Sequence, residues 1–294
     1  MTILNVEGAE LYYELHGEGP PLVLIHGASG THLAWWRQVA RLRYQYSCLI
    51  YDLRGYGRSR PTGKYDPGDG HAHVRDLERL IDEAGFGGQK VSLLGASLGT
   101  APALQFAAEH PDRVDKVILC CGPGCISTPR IDAGWKERTN RMQARYRQLE
   151  SGRRSEFPPG IPPVRSRGEF ERFAVAYLPY GPVGTALHLD EPELTFLYAE
   201  IMALAGGPPT PSTFPVFGTR PVTAAEAATL QFPVLVIGGS EDPIFPVAEL
   251  EEVASLFPNG KLNIIKGAGH LVFYERARRF NSVVLEFLGS GGPG

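Results

Sequence analysis

The chain has 294 residues, of which 43% are hydrophobic, and a formal net charge of −3. This length and composition suit one large α/β unit with an insertion and allow a sizeable core. The small net charge favours neither a nucleic-acid partner nor a membrane surface, and no apolar run reaches the ~18 residues of a membrane span.

The N-terminal segment and the cysteines point to one compartment. No basic stretch followed by an apolar one opens the chain, which predicts that it carries no signal peptide. Three of the four cysteines (Cys48, Cys120, Cys121 and Cys125) lie in or just after apolar runs, as buried or reduced thiols do. The spacing in CCGPGC does not suit zinc, and no histidine is near. We therefore expect a cytoplasmic protein without a metal.

The predicted strands are short apolar runs, most of which end in glycine. In chain order they are Ile3–Glu7, Glu10–Leu15, PPLVLIHG, YSCLIYDLRG, KVSLLGAS, KVILCCGPG, FPVLVIGGSED and KLNIIKGAGH. The predicted helices between or after them are Thr31–Arg43, Gly70–Ala84, Leu98–Glu109, Ala248–Leu256 and Leu271–Leu288. This alternation predicts an α/β fold with a doubly wound, mostly parallel sheet and helices on both faces. Ligands bind such sheets outside the carboxyl ends of the strands.

Residues 122–228 interrupt the alternation. The interval is rich in Pro, Gly and Arg, has no strand-like run, and contains three helix candidates, Ala133–Glu150, Glu169–Leu178 and Glu193–Ala205. An unstructured loop of that length would be anomalous. We interpret it as a helical lid inserted between two parts of a core domain, 1–121 and 229–288, with a flexible tail at 289–294.

Ser97 is the candidate nucleophile. It occupies the centre of a G-x-S-x-G pentapeptide at 95–99, directly after a strand and before a helix. A sharp turn there lifts the hydroxyl above the sheet, and the glycines relieve crowding around the strained turn. The start of the helix adds a positive dipole end and free N–H groups.

His270 and Asp242 are the candidate base and acid. A serine hydroxyl needs a base, and His270 lies in a small-residue loop between the last strand and the last helix. A carboxylate must then hold the imidazole, and Asp242 follows the preceding strand. We choose Asp242 over Glu241 because an Asp-Pro pair favours an ordered turn.

Two backbone amides are candidates for an oxyanion hole. The N–H of Ala28, in the HGASG loop after the third strand, can join the N–H of Leu98 against a developing oxyanion. His26 in the same loop is expected to brace it rather than to act in catalysis.

Together these motifs resemble the α/β-hydrolase superfamily along nearly the whole chain. The matching segments are HGASG at 26–30, DLRGYGRS at 52–59, GASLG at 95–99, GGSEDPIFP at 238–246 and GAGH at 267–270. The resemblance implies a Ser-Asp-His triad, a two-step acyl transfer, and a structural role for the DLRGYGRS segment. In dehalogenases and epoxide hydrolases of this fold an aspartate takes the nucleophile position, so Ser97 argues against those reactions.

The predicted lid should set the substrate range. Its aromatic residues, Tyr177, Phe214 and Phe217 among them, are candidates for the pocket wall, although packing onto the core is the better explanation for most of them. Trp36, after the oxyanion loop, is a further candidate that could equally anchor its helix. Nine basic residues lie between 136 and 167, Arg138 among them. A solvated helix face is the usual explanation of such a run. The alternative is an arginine that receives a substrate carboxylate, as carbon–carbon-bond hydrolases of this superfamily use.

The sequence therefore predicts a serine hydrolase of a small or medium carboxylic ester or lactone, working without metal or organic cofactor on a small-molecule substrate. Hydrolysis of a carbon–carbon bond in a keto acid and cofactor-free perhydrolysis would use the same residues. A ligand receptor on this fold with little turnover is the alternative from another class.

Overall fold

In the computed structural model, residues 2–28, 30–62, 69–150, 191–204 and 220–289 are described. Each apolar run predicted as a strand forms one. The strands of the described residues are β1 Thr2–Val6, β2 Ala9–His16, β3 Pro21–Ile25, β4 Ser47–Tyr51, β5 Arg60–Pro61, β6 Val91–Ala96, β7 Val114–Cys120, β8 Ile126–Ser127, β9 Val222–Thr223, β10 Val234–Gly239 and β11 Gly260–Ile265.

The helices in the described residues lie mainly between these strands. They are α1 Trp36–Leu42, α2 His71–Glu83, α3 Thr100–Glu109, α4 Pro129–Glu150, α5 Pro192–Leu204, α6 Ala224–Ala227, α7 Val247–Ser255, α8 Val272–Glu275 and α9 Ala277–Gly289. None of them combines the length and apolar character needed to cross a membrane.

Nine of the described strands form one sheet, in the order β1-β2-β4-β3-β6-β7-β10-β11, with β5 beside β2. From β4 to β11 in that order, every neighbouring pair is parallel. Strand β2 pairs antiparallel with β1, β4 and β5. The predicted α/β fold with a mostly parallel sheet is therefore confirmed.

Both faces of the sheet are buried. In β3, Leu22 and Leu24 join the core formed with α1 and α9, whereas Val23 and Ile25 join the core formed with α2, α3 and α7. The alternation follows from the two-residue period of a strand. Burying each such side chain contributes roughly 1.5–3 kcal/mol, which explains why the parallel strands are continuous apolar runs.

Two predictions of secondary structure are wrong in detail. The helix expected at 271–288 is two helices, α8 and α9, because Arg276 leaves the helical conformation (φ −122°, ψ 43°). The interval 122–228 has no strand-like run in its sequence, yet β8 and β9 pair in parallel close to its two ends. Two-residue strands are too short to produce an alternating pattern, so the sequence carries no signal for them.

Candidate active site

Ser97 lies at the turn between β6 and the helical segment that leads into α3. Its φ of +50° is in the left-handed region that L-residues rarely adopt. A Cβ atom at Gly95 would lie 2.3 Å from the carbonyl oxygen of Gly99, and one at Gly99 would lie 2.3 Å from that of Ile25. The two glycines therefore allow the turn to form against the end of β3.

His270 joins the serine to a carboxylate. Its Nε2 lies 3.0 Å from Oγ of Ser97, and its Nδ1 lies 2.9 Å from Oδ2 of Asp242. The carboxylate can only accept, so Nδ1–H donates to Asp242 and Nε2 is left to accept from the serine hydroxyl. This is the arrangement in which an imidazole can remove the hydroxyl proton.

Asp242 is held in a fixed orientation. Its side chain is fully buried, and its Oδ1 accepts from the N–H groups of Ile244 at 2.8 Å and Phe245 at 3.1 Å. The other oxygen is thereby left for His270. Glu241, the alternative acid, is exposed.

The loops after β10 and β11 pack tightly on each other. The N–H of Glu241 donates to the carbonyl of Ala268 at 2.9 Å. A Cβ atom at Gly239 would lie 2.2 Å from the carbonyl oxygens of Ala268 and Gly269. Glycine at the end of β10 therefore permits the approach that brings the acid to the histidine.

The HGASG loop lies beside the serine. A Cβ atom at Gly27 would lie 3.1 Å from Cβ of Ser97, so the backbone that leads into Ala28 passes directly alongside the nucleophile. His26 braces this loop, because its Nδ1–H donates to the carbonyl of Gly27 at 2.7 Å and its Nε2 accepts from the N–H of Leu53 at 2.9 Å. Burial lowers the pKa of His26, in keeping with the neutral ring that these two bonds require.

The DLRGYGRS segment is held by a buried carboxylate. Asp52 accepts from the backbone N–H and Nδ1 of His32, both at 2.7 Å, and from the N–H of Arg58 at 2.8 Å. Burial alone would raise the pKa of Asp52, but the hydrogen bond from His32 and the neighbouring histidines outweigh it, and the pKa lies below its ordinary value. These contacts agree with the structural role predicted for this segment.

Arg138 takes neither of the roles considered for the basic residues. It is 6% exposed and binds both carboxylate oxygens of Glu249, at 3.1 and 3.0 Å. It also donates to the carbonyl of Ile244 and lies 4.5 Å from the ring of Phe245. A buried, paired guanidinium is neither on a solvated face nor free for a substrate carboxylate. The one sequence signal was Gly134, a glycine inside a predicted helix, where a Cβ atom would lie 2.4 Å from Oε1 of Glu249.

Sequence reasoning also missed two neighbours of His270. The ring of Phe245 lies 5.8 Å from the imidazole, centroid to centroid. The carboxylate of Glu275 accepts from the N–H groups of Gly269 and Leu271. Phe245 lies within the GGSEDPIFP segment, where only Asp242 was predicted to act, and Glu275 lies outside every matching segment. Only the tertiary structure shows that both residues are neighbours of His270.

Of the four predicted substrate-binding residues, only Trp36 lies within the described residues. Trp36 begins α1, is 42% exposed, and has the guanidinium of Arg37 5.7 Å from its ring. Tyr177, Phe214 and Phe217 lie outside the described residues. All four remain predictions.

One thiol lies close to the candidate triad. All four cysteines are free and buried, and Cys121, Asp242 and His270 offer ligand atoms within 4.8 Å of one another, the kind of group that can hold a metal. Burial raises the pKa of the Cys121 thiol well above its ordinary value, and the Asp242–His270 pair already shares a proton. A metal would have to displace both protons, so the arrangement suits a proton relay better.

Comparison with known proteins agrees with the fold described above. The family model described as the alpha/beta hydrolase fold matches residues 20–277. The chain belongs to the α/β hydrolase fold family. The predictions of this family and of a hydrolase are thereby confirmed.

Several known proteins match along nearly the whole chain. An uncharacterised protein of Mycobacterium tuberculosis is 25% identical over 98% of this chain and 81% of its own. The 2-hydroxy-6-oxononadienedioate/2-hydroxy-6-oxononatrienedioate hydrolase 2 of Pseudomonas putida is 28% identical over 96% of this chain and 88% of its own. The structure of a thermophilic esterase from Thermogutta terrifontis superposes with a TM-score of 0.74, at 24% identity and over 98% of each chain.

Proposed function

We propose that this protein is a serine hydrolase that cleaves a small or medium carboxylic ester or lactone through an acyl-enzyme intermediate. The observation that carries the proposal is the continuous hydrogen-bonded line from Oγ of Ser97 through the imidazole of His270 to the buried carboxylate of Asp242. Membership of the α/β hydrolase fold family supports the same chemistry.

In the first step, Nε2 of His270 takes the hydroxyl proton as Oγ of Ser97 attacks the substrate carbonyl. The imidazolium then donates that proton to the leaving alkoxide, and the C–O bond breaks. A water molecule, deprotonated by the same nitrogen, attacks the acyl-enzyme, and the proton returns to Oγ as the acid is released. Asp242 holds the ring and stabilises its charged form throughout.

The oxyanion of each tetrahedral intermediate would lie between the N–H groups of Ala28 and Leu98. The backbone at Gly27 approaches Ser97 closely, which supports the first donor. Leu98 directly follows Ser97 in the first turn of a helical segment, which supports the second. Each such donor is worth on the order of 2.7–4 kcal/mol of transition-state stabilisation.

We further propose that α4 and α5, in the interval 122–228, form part of a lid over the carboxyl ends of the strands. Arg138 connects α4 to the loop that follows Asp242. Tyr198 of α5 is buried with its ring 5.2 Å from that of Tyr274, four residues after His270. Both helices are thus anchored beside the proposed site.

The first test is labelling with a fluorophosphonate probe, with the modified residue read by mass spectrometry. We expect a covalent label on Ser97 that is absent from Ser97→Ala, and turnover of at least one ester or lactone in a panel that also contains keto acids. An activated nucleophile would be contradicted if the folded wild-type protein took no label, or if the wild type and Ser97→Ala were labelled equally. A single slow event per bound ligand would instead favour the receptor alternative.

A second candidate is hydrolysis of a carbon–carbon bond in a keto acid, favoured by the relative from Pseudomonas putida. A substrate carboxylate would then need a cation, and Arg138 is already committed to Glu249. Equal turnover of a neutral ester and its carboxylate analogue would count against this candidate.

A further inference from the structure

Glu275 is a buried carboxylate that acts on the backbone around His270. It ends α8 and is 3% exposed. Its Oε2 accepts from the N–H of Gly269 at 2.8 Å, and its Oε1 accepts from the N–H of Leu271 at 3.1 Å. These two N–H groups belong to the residues immediately before and after His270, so the two oxygens bind the backbone on both sides of one residue.

The next residue, Arg276, also binds the backbone of this loop. The guanidinium of Arg276 donates to the carbonyl of Gly267 at 3.0 Å. Residue 276 is also where the expected long helix breaks into α8 and α9. The short helix α8 therefore places a carboxylate and a guanidinium, in successive residues, against the loop at 267–271.

A buried carboxylate is costly unless its oxygens are hydrogen-bonded, and amide donors to a charged acceptor form strong bonds. Both oxygens of Glu275 meet this requirement with the amides that flank His270. The Nε2 and Nδ1 contacts of that ring depend on where its backbone lies, and a displacement of about 1 Å can cost on the order of 100-fold in rate.

We propose that Glu275 is a positioning residue for His270: it clamps the flanking peptides so that one imidazole reaches Ser97 and Asp242 together. The inference rests on the proposed function of these three residues. A purely structural role, in which Glu275 only closes the first turn of α8, would lower stability without changing the relation of His270 to its partners.

The test compares Glu275→Gln with a control that loses a buried charge elsewhere. Glutamine keeps the shape but replaces one of the two acceptor oxygens by an NH2 group, so one of the two backbone N–H groups then faces a donor. Lys116→Met is the matched control: Lys116 is buried and donates to the carbonyls of Phe287 and Leu288. It lies near the amino end of β7, whereas Ser97 follows the carboxyl end of β6.

We measure the rate of fluorophosphonate labelling, kcat and KM on an ester that the wild type hydrolyses, the melting temperature, and the downfield NMR resonance of the proton between His270 and Asp242. For Glu275→Gln we expect labelling and kcat to fall by about 10- to 100-fold with KM little changed, and the resonance to shift or broaden. Lys116→Met should lower the melting temperature and leave labelling, kcat and the resonance as in the wild type.

Wild-type labelling, kcat and resonance in Glu275→Gln would overturn the inference, whatever its melting temperature. Should Glu275→Gln not fold, Glu275→Asp, which is too short to reach both amides, is subjected to the same comparison and the same criteria. A wild type that takes no label contradicts the proposed function instead, and the resonance in Glu275→Gln then decides the inference by itself.

Discussion

At the scale of single residues, the candidate site depends on how three side chains are held. Ser97 sits in a left-handed backbone conformation, Asp242 is oriented by two backbone N–H groups, and His270 lies between them. The tautomer of the ring follows from Asp242, which can accept but not donate. Replacing the carboxylate of Asp242 should therefore disturb proton transfer through His270 without moving the backbone.

We predict that Asp242→Asn lowers kcat by about 10³- to 10⁴-fold, because an amide can hold the imidazole in the wrong tautomer. Steady-state kinetics on an ester that the wild type hydrolyses check this. Glu241→Gln is the matched control, since Glu241 is the neighbouring acid and is exposed. If the two substitutions had equal effects, the acid would have been wrongly assigned.

A second residue-scale prediction concerns acid stability. Burial, with Arg54 and His26 nearby, lowers the pKa of His73 to about 3, against about 6.5 in an unfolded chain. Between these values the unfolded state binds a proton that the native state does not, so stability is lost as the pH falls from about 6.5 towards 3. One such group contributes a slope of at most about 1.4 kcal/mol per pH unit.

Replacing His73 by leucine should therefore flatten the dependence of the free energy of unfolding on pH below about 6.5. Near pH 8 the slopes of the two proteins should agree, because the histidine is neutral in both states. Denaturant titrations from pH 8 to pH 4 measure the slopes. Parallel curves over the whole range would contradict a depressed pKa for His73.

At the scale of elements, the junction between β6 and α3 is the most constrained part of the site. A Cβ atom at Gly95 would lie 2.3 Å from a backbone oxygen and 2.8 Å from Cα of Thr100, and backbone atoms cannot move aside as a flexible side chain can. The strand and the helix must therefore separate before any side chain fits.

We predict that Gly95→Ala lowers the free energy of unfolding by about 1–3 kcal/mol or more, as overpacking does, and reduces probe labelling of Ser97. Gly88→Ala is the control, because a Cβ atom there would meet nothing within 4 Å. Thermal denaturation and labelling measure both effects. Unchanged labelling in Gly95→Ala would show that the turn tolerates a wider approach of β6 to α3.

At the scale of the whole molecule, the order of the strands assembles the site. Strands β3, β6, β7, β10 and β11 are neighbours. The proposed oxyanion loop, nucleophile, acid and base follow β3, β6, β10 and β11 in that order. The interval 122–228 contacts this end of the sheet through the buried pair of Arg138 and Glu249. That pair links α4, which belongs to the proposed lid, to α7.

Removing one partner of this ion pair should lower the free energy of unfolding more than replacing both partners by apolar residues. We predict that Arg138→Met destabilises the protein by about 3–5 kcal/mol, because Glu249 is left buried without its partner. The double substitution Arg138→Met with Glu249→Leu should recover much of that loss, since an apolar pair avoids desolvating two charges. Denaturant unfolding of both variants decides; a double variant no more stable than the single one would contradict the interpretation.

The amino-acid sequence alone predicts the fold class, the alternation of strands and helices, and Ser97, Asp242 and His270 as candidate catalytic residues. These follow from local patterns: the apolar runs, the glycines that a sharp turn requires, and the order of loops along the chain. Three features become visible in the folded structure: Arg138 is buried against Glu249, 111 residues away, Glu275 turns back to the amides around His270, and the last helix breaks at Arg276. A local pattern carries no information about which distant group will neutralise a charge or accept a proton, because that depends on which surfaces the folded chain brings together.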